Sequence, residues 1–104
     1  MDKSEAIKIA KVYVDSISSR YNIKQAILLG SLAKRTNHKD SDIDIAIVIN
    51  NIVDIIDTQI EMMKLRHKID LRIEPHPFMI DDFNQSNPVV NEIIKFGIQI
   101  TNIN

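Results

Sequence analysis

The sequence predicts a small mixed α/β (α+β) domain, with at least three strands in one sheet flanked by helices. Three stretches repeat apolar residues at helical spacing. Three short apolar runs lie between or beside them, too brief for helices and rich in β-branched isoleucine. At 104 residues the chain has room for one core, so residues 1–104 are expected to form a single domain.

Ser4 to Arg20 is predicted as the first helix, with Ala6, Ile9, Ala10, Tyr13, Val14 and Ile17 on its apolar side. Ser4 suits its N-cap and Glu5 its first turn, and Tyr21-Asn22 closes it. Gln25 to Leu29 follows as a buried strand ending at Gly30. Ser31 to Lys34 can open a short helix, and Thr36 to Ser41 is polar and loop-like. Ile43 to Ile49 alternates isoleucines with Asp44, Ala46 and Val48, the pattern of a second strand that ends at Asn50-Asn51.

Val53 to Lys68 is predicted as a second helix, Ile56, Ile60, Met63 and His67 sharing its apolar face and Met62 and Met63 filling core. Ile69 to Glu74 is predicted as a third strand, stopped by Pro75 and Pro77. Asp70, Arg72 and Glu74 would share one of its faces. Asp81-Asp82 suits a short helix start or a solvated turn. Pro88 to Phe96 closes the order as a last helix, Pro88 in its first turn and Gly97 ending it, before an extended tail at Ile98 and Ile100.

Composition narrows the function classes. Apolar residues make up 44% of the chain, an ordinary globular share. No apolar run approaches the roughly 18 residues that span a bilayer. Charges at Asp2, Lys3, Glu5 and Lys8 rule against a secretory leader. Cysteine is absent, which excludes disulfides and thiolate metal sites. A soluble cytoplasmic protein without membrane contact is expected. The net charge of −1 argues against an extended nucleic-acid groove. The one basic cluster, Lys34, Arg35, His38 and Lys39, suits a few phosphates better.

Asp42 and Asp44 stand two apart on a strand, so both carboxylates leave one face. Two close carboxylates repel unless a cation lies between them, and hard oxygen donors select Mg²⁺ or Mn²⁺. The same pair equally describes solvated acids at a turn. Gly30-Ser31, closing a strand before a helix, offers backbone N–H groups and a hydroxyl to phosphate. Alone, it equally describes an ordinary turn. His67 and His76 have no metal-ligand spacing with a further His or Cys, and His76, between two prolines, suits a loop.

Together these parts are far more specific. Gly30-Ser31, ten intervening residues and then Asp42-Ile43-Asp44 inside a hydrophobic strand resemble the signature of the minimal nucleotidyltransferases, a branch of the DNA polymerase beta superfamily. A third acid one helix later is part of that pattern, and Asp70 in Ile69-Asp70-Leu71-Arg72 fits it, with Glu74 as the alternative. The sequence departs from the family at Lys34 and Arg35, where arginine and then glycine are frequent.

The resemblance implies a polymerase-beta-like nucleotidyltransferase fold. It also implies transfer of a nucleoside monophosphate, AMP from ATP in the first instance, to a hydroxyl with release of pyrophosphate. Asp42, Asp44 and Asp70 would be the catalytic residues and the ligands of two Mg²⁺ ions, with Mn²⁺ as a substitute. Gly30, Ser31 and Lys34 would bind the nucleotide, ATP or another nucleoside triphosphate, and Arg72 either pairs with the acids or meets a phosphate. By the same resemblance, the chain would be the antitoxin of a toxin–antitoxin pair whose other half is a HEPN-type helical protein. A non-catalytic module that masks its partner stays open. An antibiotic-modifying enzyme ranks below both, because the acceptor-binding domain it needs is missing unless a homo-oligomer supplies one.

Overall fold

The structure, a computed structural model, describes residues 2–29 and 42–100. The first helix, α1, runs Lys3–Ile17, and its N-cap is Asp2 rather than Ser4. The Asp2 carboxylate accepts the Glu5 N–H at 2.8 Å, satisfying one of the donors that a helix start leaves unpaired. Ala6, Ala10, Tyr13, Val14 and Ile17 form its buried face.

Strand β1 (Asn22–Leu29) begins three residues before the expected start and pairs antiparallel with β2 (Ile43–Asn50). The early start involves an irregularity: the register shifts between Ile23 and Gln25. An extra residue in a strand rephases its side chains, so Ile23, Ala26 and Leu28 all enter one core. Beyond β2 the chain turns at Asn51, whose φ of 58° lies in the left-handed region that asparagine tolerates.

Helix α2 (Ile55–Leu65) is capped by Asp54, which accepts the N–H groups of Ile56 and Asp57. The expected helix over 53–68 resolves into this element plus a single 3₁₀ turn, Arg66–Lys68. Its inward side is also not the expected one. Thr58 and Met62 are buried, whereas Ile56 and Ile60 are 66% and 49% exposed. The buried Tyr13 hydroxyl donates to the Met62 carbonyl at 2.7 Å, tying α1 to α2.

Strand β3 (Ile73–Met79) lies parallel to β2 and starts four residues later than expected, with Pro75 and Pro77 inside it. In a parallel ladder, alternate residues bond to a given neighbour. Ile43 N–H bonds to the Arg72 carbonyl, so the even-numbered residues of this segment face β2 and the odd-numbered ones face the outer edge. Pro75 and Pro77 therefore stand where no ladder donor is needed, and prolines on an edge deter pairing with another chain. The outward carbonyls are capped instead. Arg66 Nη1 donates to Ile73 at 2.8 Å and Gln59 Nε2 to Pro75 at 3.3 Å.

A 3₁₀ turn at Ile80–Asp82 leads on to α3 (Pro88–Phe96), whose N-cap Asn87 accepts the Val89 N–H. Gly97 ends α3 with an extended backbone, not a left-handed one. Glycine is required there by close approach: a Cβ would lie 2.3 Å from Ile27 Cγ2 and 2.5 Å from the Ile93 carbonyl oxygen. The tail forms β4 (Ile98–Gln99), antiparallel to β1, and the sheet order is β3-β2-β1-β4.

The two sheet faces differ. Helices α1 and α2 cover one, where Ile43, Ile45, Ile47 and Ile49 of β2 are fully buried with Tyr13, Ile17, Leu28, Met62 and Ile73. On the other, Ile27, Ala46 and Ile93 of α3 form a smaller cluster with Leu29, Phe78 and Phe83. Phe78 and Phe83 meet edge to face, ring centroids 5.4 Å apart.

Candidate active site

The acids of β2 stand on the sparsely covered face. Asp44 is the second residue of the strand and Asp42 lies just before it. The alternation that buries Ile43 and Ile45 turns Asp44 to the opposite side. Asp42 is exposed and Asp44 partly so.

Because β3 is parallel to β2, its second residue, Glu74, pairs in register with Asp44, and His76 pairs with Ala46. Paired positions present their side chains to the same face. His76 Nε2 comes within 3.0 Å of Asp44 Oδ1. That hydrogen bond raises the His76 pKa above the ordinary histidine value; burial opposes the shift, and the charges of Asp44 and Glu74 add to it. Glu74 Oε1 lies 3.6 Å from Arg66 Nη1. His76 was expected in a loop. The alternation of Glu74 and His76 was visible in the sequence, but their meeting with Asp44 depends on a parallel register that only the fold supplies.

Asp70 sits differently. The expected strand position is corrected: Asp70 stands in the turn between the 3₁₀ segment and β3. Arg72 holds it with a two-pronged grip, Nε to Oδ1 at 2.9 Å and Nη2 to Oδ2 at 2.7 Å, and the Arg72 N–H adds a third bond at 2.9 Å. These hydrogen bonds, the side-chain one foremost, hold the Asp70 pKa below the usual carboxylate value against the effect of burial. Arg72 is thus a partner of Asp70, the structural role the sequence left open for it.

Gly30, Ser31 and Lys34 lie outside the described residues, as do the other members of the basic cluster. Among the described residues, no three His, Asp or Glu side chains are grouped to hold one metal ion. The donor chemistry of Asp42 and Asp44 fits a hard divalent cation. Glu74, level with Asp44 on the next strand, can join them. In the arrangement described, both Asp70 oxygens are committed to Arg72.

Among the described residues, no helix is long and apolar enough to cross a membrane. No curated protein matches the sequence. Several solved structures resemble the fold, and two of them are informative. One, from Sulfolobus solfataricus and described as a nucleotidyltransferase, is 20% identical with a TM-score of 0.64, over 93% of this chain and 80% of that one. The other is a mutant of the MntA–HpeT toxin–antitoxin pair in which two aspartates, two residues apart, are replaced by glutamate. It is 20% identical with a TM-score of 0.57, over 99% of this chain and 75% of that one. The family described as Polymerase beta, Nucleotidyltransferase matches residues 11–104, from within α1 through both acid-bearing strands, and the chain belongs to that family.

Proposed function

We propose that this chain transfers a nucleoside monophosphate, AMP from ATP, to a hydroxyl on an acceptor, and that it serves as the antitoxin of a pair whose other half is a HEPN-type helical protein. One observation carries the chemistry. Asp44, inside the family match, is the second residue of β2 and stands level with Glu74 of the parallel β3, with Asp42 two residues earlier. The partner reading is supported by the likeness to MntA.

In the reaction, the acceptor oxygen bonds to the α-phosphorus, the bond from that phosphorus to the bridging oxygen breaks, and pyrophosphate leaves. The hydroxyl proton passes to a carboxylate at the site. Asp42 and Asp44 would hold two Mg²⁺ ions, or Mn²⁺ in their place, with Asp70 or Glu74 as the third acid. A metal held there would neutralise phosphate charge and lower the pKa of the attacking hydroxyl. The His76 hydrogen bond orients the Asp44 carboxylate. Gly30, Ser31 and Lys34 would bind the phosphates. Asp70 enters the site only by exchanging its bonds to Arg72, whereas Glu74 needs only to leave a 3.6 Å contact with Arg66.

The test is label transfer from α-labelled ATP with Mg²⁺, with and without the product of the neighbouring gene. Label on that protein with the native chain, and none with the Asp42→Ala, Asp44→Ala double variant, is expected. Asp70→Asn and Glu74→Gln then identify the third acid, the true one losing transfer. The engagement of Asp70 by Arg72 favours one competing reading, a module that masks its partner without chemistry. Absence of label with the native chain, while both it and the Asp42→Ala, Asp44→Ala variant still form the complex, would favour it.

A further inference from the structure

Helix α2 carries two apolar stripes. One, Thr58, Met62 and Leu65, packs on the sheet; the other, Ile56, Ile60 and the half-buried Met63, faces outward. Val53, fully exposed just before the N-cap, extends the outward stripe. A helix that is apolar on two sides buries both in its working state. Charge indicates what covers the second. Asp54 and Asp57 stand at the N-terminal end, and Lys64, His67 and Lys68 at the C-terminal end and the turn after it; Glu61, past the middle, accepts the Tyr21 hydroxyl, and Arg66 turns to Ile73 and Glu74. Asp57 and Lys64 stand two turns apart on one flank of the stripe, with no ion-pair partner among the described residues. An acidic start and a basic end along one apolar seam complement the same helix running in the opposite direction.

We infer that α2 is a dimerisation helix: two copies of this chain pack it antiparallel about a twofold axis, Ile56, Ile60 and Met63 forming the seam and Asp57 of each copy facing Lys64 of the other. A twofold axis across two antiparallel helices keeps each flank on its own side and reverses its direction. With the axis level with Ile60 and Glu61, residue 57 meets residue 64 twice. Such an interface is self-complementary, as closed dimers require. The inference is independent of the transferase reading, since α2's outward stripe contains none of the acids of the site.

Sedimentation velocity of the full chain across a concentration series tests it. The native chain is expected to pass from one to two copies as concentration rises. Ile60→Asp should remain monomeric throughout. Asp57→Lys and Lys64→Asp should each weaken dimerisation about tenfold, because each converts two exposed attractions into repulsions. The double variant carrying both should recover it, the reversed pair again being complementary. These side chains lie outside the core, and far-UV circular dichroism verifies that each variant is folded. A native chain monomeric at every concentration, a dimer that survives Ile60→Asp, or a double swap without recovery would each overturn the inference.

Discussion

The two sides of β2 are built from the same strand and do different work. Its odd-numbered side, Ile43, Ile45, Ile47 and Ile49, is closed under α1 and α2 with no exposed surface. Its even-numbered side starts with Asp42 and Asp44 and becomes apolar only from Ala46, where the cluster with α3 begins. Stability therefore concentrates on one side and polar chemistry at the N-terminal end of the other. A strand spaces neighbouring side chains on opposite faces, so a substitution one residue away should change an entirely different property.

The largest expected effect is on the acid side. Asp44→Asn should lower the rate of transfer about 10²–10³-fold, the usual loss for one electrostatic group at a reacting centre. Its melting temperature should stay near the native value, as Asp44 is partly exposed; a large fall would show that both sides of the strand hold the fold together. Next comes Ile45→Ala, one residue along. Denaturant unfolding should show a loss of about 2–5 kcal/mol from the cavity it leaves. Any activity deficit should track the unfolded fraction.

Gly97→Ala tests whether the second face is also tightly joined where α3 meets β1. The added methyl has to displace Ile27 or the end of α3, at a cost of about 1–3 kcal/mol in thermal unfolding. Tyr13→Phe removes the partner of the buried Met62 carbonyl, and about 1–3 kcal/mol is expected for leaving such an acceptor unpaired.

Tyr13 also predicts a pH limit for the closed side. Burial, the largest cause, raises its pKa far above the ordinary 10.0. A folded pKa above the unfolded one means that the stabilisation is complete below pH 10.0 and is lost as pH climbs towards the folded value. Unfolding midpoints of the native chain should fall above that pH, and the fall should shrink in Tyr13→Phe.

What was legible in the sequence was local. The alternation of β2 marks its two faces, and its bounds to within one residue. The Pro88 start and Gly97 end of α3 are local signals too, although Gly97 is needed for close approach and the Asn87 N-cap emerges only from the structure. The errors came from information that lies between elements. Pro75 and Pro77 suggested the end of a strand because its edge position, which makes them harmless, is a property of the sheet. In α2 two apolar stripes compete, and only packing selects Thr58 and Met62 over Ile56 and Ile60. The apolar neighbours of Asp70 suggest a strand, while the Arg72 grip belongs to a turn. His76 gained its relation to Asp44 from the parallel register. The phosphate-binding expectation at Gly30, Ser31 and Lys34 falls outside the described residues.

The most direct test of the central claim is where a nucleotide and its metal settle on the protein. Amide spectra of the native chain titrated with ATP and Mn²⁺ would locate them, since a paramagnetic ion broadens nearby signals. The account predicts broadening centred on Asp44, Glu74 and His76 at the starts of β2 and β3, lost in the Asp42→Ala, Asp44→Ala variant. Broadening centred elsewhere, or unchanged in that variant, would contradict it.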